Sequence, residues 1–344
     1  MQLTWLRVAE SGCALSGEPD REKLKEYGMK EWEWLQAMAT IPGLSVTTGG
    51  GSGMTPDTAW SHQHMLKRLD QITEAGGDMM ITPMMRLGTL FMGIKGEGLN
   101  PLLASPSFKE LHTHFGGRCT DEMLHELQTD TNLRQAITAE LNEVRNGAYG
   151  THFIGRPDMR QWVWPWSTSP ENAKEDSLEF APDREGKTVW EYVYDVMVHP
   201  EQSHGGVLVR PLYNYGAHSM EPLADMFVHD RVVAGFADGG AHGKGQCEAT
   251  TPTTMITFWC RDRTAGSQLP IEMVVKKQTK DSVRHHLCLC ISTAFVAKTV
   301  HVLAGFQANM MGFTDRGELL PGMKADLNVF DLKTLDVLAP VTNS

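Results

Sequence analysis

Val232-Val233-Ala234-Gly235-Phe236-Ala237-Asp238-Gly239-Gly240-Ala241-His242 is the stretch on which the reading of the fold turns. A short apolar run opening on two β-branched residues reads as a buried strand, and it stops at one carboxylate, two glycines and a histidine. Asp238 then sits at the carboxyl end of a strand. In a parallel α/β sheet or barrel this is the rim where loops carry the chemistry and the strands beneath hold it rigid. The glycines suit such a turn, because a residue without a Cβ lets the backbone bend sharply and a ligand come close. The same residues also fit an ordinary strand-to-helix turn with Asp238 as the helix cap.

Upstream of this stretch the chain alternates. Leu3 to Val8 is a strand candidate, and Asp20 to Thr40 is an amphipathic helix with Leu24, Tyr27, Trp32, Leu35 and Met38 on one face. Leu44 to Thr48 reads as a strand running into glycines, Ser61 to Gly76 as a helix closed by glycine, and Met79 to Pro83 as the next strand. That order is the signature of parallel βαβ units. From Gly88 to about Gln202 the alternation is lost, and a long excursion over the barrel mouth is expected there. It includes one long helix over Thr120 to Asn146 and the aromatic run Trp162, Trp164, Trp166, which reads either as packing or as binding surface. Order returns with a strand from Gly206 to Pro211, continuing through Leu212-Tyr213-Asn214-Tyr215. Helices follow over Met220 to His229, Thr253 to Arg263 and Ile271 to Val283.

Composition bounds the function. The 344 residues suffice for one large α/β domain with an appendage, and 41% hydrophobic with 21% charged residues fits a globular chain. A net charge of −11 argues against nucleic acid, whose phosphates would be repelled. The six cysteines lack the paired CxxC spacing of a structural zinc site. There is no apolar signal core near Met1 and no uncharged stretch long enough to span a bilayer, so a soluble, cytoplasmic protein is expected, with no membrane partner.

Four blocks fall into a familiar order: Asp238 to His242; Thr251-Pro252-Thr253-Thr254; Trp259-Cys260-Arg261-Asp262-Arg263; and Phe313-Thr314-Asp315-Arg316-Gly317 leading through Pro321-Gly322 to Ala325-Asp326-Leu327-Asn328-Val329-Phe330-Asp331. Together they resemble the carboxyl-terminal half of the N-acyl-D-amino-acid deacylases, a branch of the metal-dependent amidohydrolase superfamily, best over residues 206–283 and 310–331. Arg210 to Tyr215 is similar to that family's penultimate barrel strand.

The resemblance implies a partial (β/α)8 TIM-type barrel made of its later strands, over residues 1–284 with the excursion at about 88–202. A fragment of a small β-sandwich would follow over 310–344. It implies one or two zinc ions at the rim, hydrolysis of an N-acyl amino acid or related linear amide, and Asp238 as metal ligand and proton shuttle. Zinc lowers the pKa of its bound water towards about 7 and polarises the carbonyl, and a neighbouring carboxylate can carry the proton. His242, Tyr213 and Asn214 would line the substrate pocket, although His242 also fits packing under the glycine turn. A cyclic amidohydrolase or a deaminase would share the aspartate.

The chain departs from that pattern in ways that lower the expected activity. The family's HxH pair on the first strand has no counterpart near the start, and the strands ending at Thr48 and Pro83 offer no imidazole, so the zinc ligand set is incomplete. His112-Thr113-His114 imitates HxH, but its context is turn-rich and too close to Asp238 for seven βα units, which need more than about 200 residues. His62 and His64 are expected on a helix surface. Residues 285–309 interrupt the family order and read as extraneous, with a genuine extra helix or a metal cluster of His285, His286, Cys288 and Cys290 as rivals. An incomplete barrel leaves an exposed edge, and self-association or a non-catalytic, small-molecule-binding remnant is the competing reading.

Overall fold

The computed structural model describes residues 32–44, 46–50, 61–95, 99–144, 151–167, 169–202, 205–215, 218–235, 248–284, 321–322 and 328–337. Asp238, His242 and the whole of 285–309 lie outside them. A helix over residues 32–39 (α1) precedes β1 (Val46–Gly50), α2 (Ser61–Glu74) and β2 (Met79–Pro83). Here the sequence expectation holds closely. β1 and β2 pair in parallel, Val46 opposite Met79 through Gly50 opposite Pro83, and α2 buries Leu69 and Ile72 against them. Val232 bridges to Ile81 in parallel on the other side of β2, with Ile81 N–H donating to Arg231 O, Val233 N–H to Ile81 O and Gly235 N–H to Pro83 O.

After β2 the chain departs from a barrel. Residues 84–87 turn directly into β3 (Gly88–Gly93), and the stretch expected to be irregular carries regular structure. It comprises α3 (Pro106–His114), α4 (Asp121–Thr129), α5 (Thr131–Asn142), the short α6 (Thr151–Gly155) and α7 (Pro157–Arg160), β4 (Trp164–Pro165), α8 (Ala181–Arg184) and α9 (Val189–Val198). The single long helix expected over Thr120 to Asn146 is two helices. Asp130 ends the first and caps the second, its carboxylate accepting from Leu133 N–H at 2.9 Å, a role for which aspartate outcompetes helix continuation. α9 is fixed by a capping box in which Thr188 and Glu191 satisfy each other's backbone N–H.

β5 (Val207–Tyr213) also differs from expectation. It does not join the parallel strands but pairs antiparallel with β3 on one side and β4 on the other, giving the order β3-β5-β4. Its side chains alternate as a two-sided strand requires. Leu208 faces a helical core with Met92, Phe108, Ile137, Trp190 and Val193, while Val207 and Val209 face a second core with Trp164, Phe227 and Trp259. α10 (Glu221–Val228) then leads to the Val232 segment, and α11 (Thr251–Thr257) runs into a π-helical turn at Phe258–Asp262 before α12 (Ile271–Arg284). The described residues form a mixed α/β structure with two small sheets and no closed barrel. At the carboxyl end, where the start of a β-sandwich was expected, residues 328–337 form a turn with Val329 94% exposed. Asp331 closes that turn by accepting from Lys333 N–H, and Arg261 holds it through the carbonyls of Leu332 and Leu335.

Two consequences are testable. At Gly235 an added Cβ would lie 2.3 Å from the carbonyl oxygen of Thr82, so Gly235→Ala is expected to cost about 1–3 kcal/mol in urea denaturation by overpacking. Glu140 on α5 accepts from the hydroxyls of Ser105 and Ser107 and from Ser107 N–H at 3.1 Å, tying α5 to the start of α3. Burial alone would raise its pKa, but these hydrogen bonds hold it below 4.5. The carboxylate therefore stabilises the fold above that pH and loses its contribution as pH falls through the depressed value. Glu140→Gln should cost about 1 kcal/mol at neutral pH, with the gap to wild type closing on acidification below 4.5.

Candidate functional site

β1, β2 and the Val232–Gly235 segment run in the same direction and end together. At that end the Thr82 hydroxyl donates to Thr48 O across the pair, and Gly235 N–H caps Pro83 O. The next carbonyls along the chain are all occupied. Asn214, the residue after β5, donates from Nδ2 to Met84 O at 2.9 Å and to Arg86 O at 3.3 Å, and Trp259 donates from Nε1 to Met85 O at 2.7 Å. Arg86 reaches from the same turn to the hydroxyl of Thr250. The rim is thus braced from two later elements, the end of β5 and the π-turn after α11.

Asn214 has an unusual setting. It is fully buried with φ +72, a left-handed conformation that asparagine tolerates better than other residues bearing a Cβ. Its amide nitrogen is committed to the β2–β3 turn, while Oδ1 is buried with no hydrogen-bond partner among the described residues. Of the residues singled out for substrate binding, Asn214 is therefore at the rim, offering an acceptor and no donor. Tyr213 ends β5 opposite Gly88 in the ladder. Asp238 and His242 fall outside the described residues.

Sequence reasoning missed His218. Its ring stacks on Trp162 at 4.0 Å and 7°, with the edges of Trp164 and Tyr215 beside it. Burial, and then the charge of Lys174, push its pKa below 6.5 against a smaller opposing effect of Glu175. The alternating tryptophans at 162, 164 and 166 were visible in the sequence, but nothing local links them to a histidine beyond β5.

The other described histidines do not converge. His112 and His114 lie on α3, where a spacing of two residues turns side chains to opposite sides; His112 stacks on Phe108 and His114 sits edge-on to Phe115. His62, expected at the surface, is buried and faces Asp225 at 3.7 Å. His229 pairs with Asp70 at 3.0 Å, away from the rim. Among the described residues no three His, Cys, Asp or Glu side chains come together as a metal site needs, so the described donor set does not fit a catalytic zinc. Burial pushes the Cys119 thiol up, and that of Cys260 to about 11, so neither is a ready thiolate at neutral pH. Burial likewise pushes up the phenols of Tyr194 and Tyr215.

No family model, no curated protein and no solved structure matches the chain. No helix among the described residues is long and apolar enough to cross a membrane.

The brace at Asn214 yields a graded expectation. Asn214→Ala removes both hydrogen bonds and places alanine at positive φ, costing about 2–3 kcal/mol, whereas Asn214→Gly relieves the backbone and should cost about 1 kcal/mol less, measured by chemical denaturation.

Proposed function

We propose that the braced rim belongs to an amidohydrolase-type α/β protein, derived from the later strands of a (β/α)8 barrel of the N-acyl-D-amino-acid deacylase type, that takes a linear N-acyl amino acid and hydrolyses it slowly or not at all. The observation that carries the reading is the parallel pairing of Val232–Gly235 with β2, which ends beside Asn214; Asp238 follows shortly along the chain. In this reading Asn214 Oδ1 accepts the amide N–H of the ligand, satisfying its own buried oxygen, and Asp238 moves the proton between water and the leaving amine. The resemblance assigns Tyr213 and His242 to the same substrate pocket. The resembled family holds one or two zinc ions at this rim, and the described residues supply no fitting donor set for one.

A non-catalytic, ligand-binding remnant is the second reading. It is favoured by the strand ends, where the Thr82 hydroxyl donates to Thr48 O and the Thr48 hydroxyl to Gly49 O in the place a metal-binding barrel puts imidazoles.

Purified full-length protein should be assayed for zinc by elemental analysis, for hydrolysis of N-acetyl-D-amino acids, and for binding of the same compounds by calorimetry, as wild type and Asp238→Ala. The expected outcome is zinc well below one per chain, measurable binding, and slow turnover lost in Asp238→Ala. Binding with no turnover selects the remnant. About one zinc per chain with rapid turnover would overturn the low-activity reading, and absence of both binding and turnover would overturn the amide-ligand reading itself.

A further inference from the structure

Between β5 and α10, the described residues Asn214 and His218 (φ +51) both have positive φ. His218 N–H donates to Tyr215 O at 3.0 Å. The ring then lies flat on Trp162 at 4.0 Å, and the walls around it are fixed. Trp164 donates from Nε1 to Ala173 O at 2.8 Å, the Tyr215 hydroxyl donates to Asn172 O at 2.7 Å, and Glu171 accepts from Met220 N–H at 2.8 Å just before α10.

Both ring nitrogens of His218 are shielded from water and have no hydrogen-bond partner among the described residues. A phenylalanine would stack there without that penalty. A neutral imidazole buries one N–H and one lone pair; a protonated one buries two N–H groups and a full charge, which the stack cannot solvate. The face of Trp162 attracts a cation, but only in part offsets lost hydration. The charged groups that act on the ring are Lys174 and Glu175, both on the 3-10 turn Lys174–Asp176, and they oppose each other. Trp162 and Trp164 carry no charge, and Tyr215 is a buried phenol held neutral.

We propose that His218 is a proton-released latch. Neutral, its ring stays closed on Trp162; on mild acidification it takes a proton, leaves the stack for water and uncovers Trp162. The sign follows from burial: the stacked position favours the neutral ring, so the stack is fully stable above pH 6.5 and weakens as pH falls below that value. The latch does not depend on what the rim binds.

The test is a pH titration of tryptophan emission and iodide quenching between pH 8 and 5, comparing wild type, Trp162→Phe and His218→Phe, with far-UV circular dichroism recorded alongside. Wild type is expected to gain quenching and shift to longer wavelength with a midpoint below 6.5, at constant circular dichroism. Trp162→Phe should lose that component, and His218→Phe, which stacks without titrating, should lose the transition. A transition that persists in His218→Phe, or an unchanging wild type, overturns the proposal. Should His218→Phe fail to fold, nitrogen chemical shifts of His218 in wild type decide it. Titration in step with the Trp162 indole supports the latch; titration without a Trp162 response, or none down to pH 5, overturns it.

Discussion

A single buried cation ties the later half of the structure together. Arg263 has no exposed side-chain surface, grips Glu171 with two hydrogen bonds at 2.9 and 3.1 Å, reaches Glu221 at 2.8 Å and Ser267 O at 2.7 Å, and lies over the Trp259 ring. Burial works against its charge, but the two carboxylates more than restore it, so its pKa is raised. Glu171 is nearly as buried, and its Oε1 also holds Met220 N–H. Stripped of its partners, a charge in such a place costs several kcal/mol, of the order of ~3–5. The cluster therefore fixes three segments that lie far apart in the chain: the loop after β4, the start of α10 and the end of the π-turn.

From that anchor the rim follows. The π-turn carries Trp259, whose indole N–H occupies Met85 O, and the end of β5 carries Asn214, whose amide occupies Met84 O and Arg86 O. The turn between β2 and β3 is thereby shaped by side chains from elsewhere as well as by its own Arg86. It also belongs to both sheets, because β2 completes the parallel ladder and β3 opens the antiparallel one. On the opposite side of the Val232 segment, the buried Lys277 of α12 donates to His229 O and Val232 O, so that segment is held at its start as well as along β2.

What the sequence made legible was local. β1, α2 and β2 were readable from β-branched runs, helical spacing and a closing glycine, and Val232-Val233 announced a buried parallel segment. β3 was not, because glycines at both of its ends read as turn signals, and its apolar core of Leu90, Phe91 and Met92 does not alternate with polar residues. The partner and direction of β5 were illegible for a different reason: period-two patterning says that a strand is two-sided, not which strands flank it. The site divides in the same way. Asn214 was named only through the family resemblance, as a residue lining a substrate pocket, and its bracing of Met84 and Arg86 depends on contacts far along the chain. His218 depends on Trp162 and Tyr215 arriving together in space.

α10 turns two faces to two different interiors. Met226 lies with Leu69, Ile72 and Met79 beneath the parallel strands, while Leu223 and Phe227 lie with Trp164 and Trp259 beneath the antiparallel ones. Neither hydrophobic interior can be dismantled without stripping one side of this helix. The two sheets therefore melt as one cooperative body, and damage introduced under either is felt by the other.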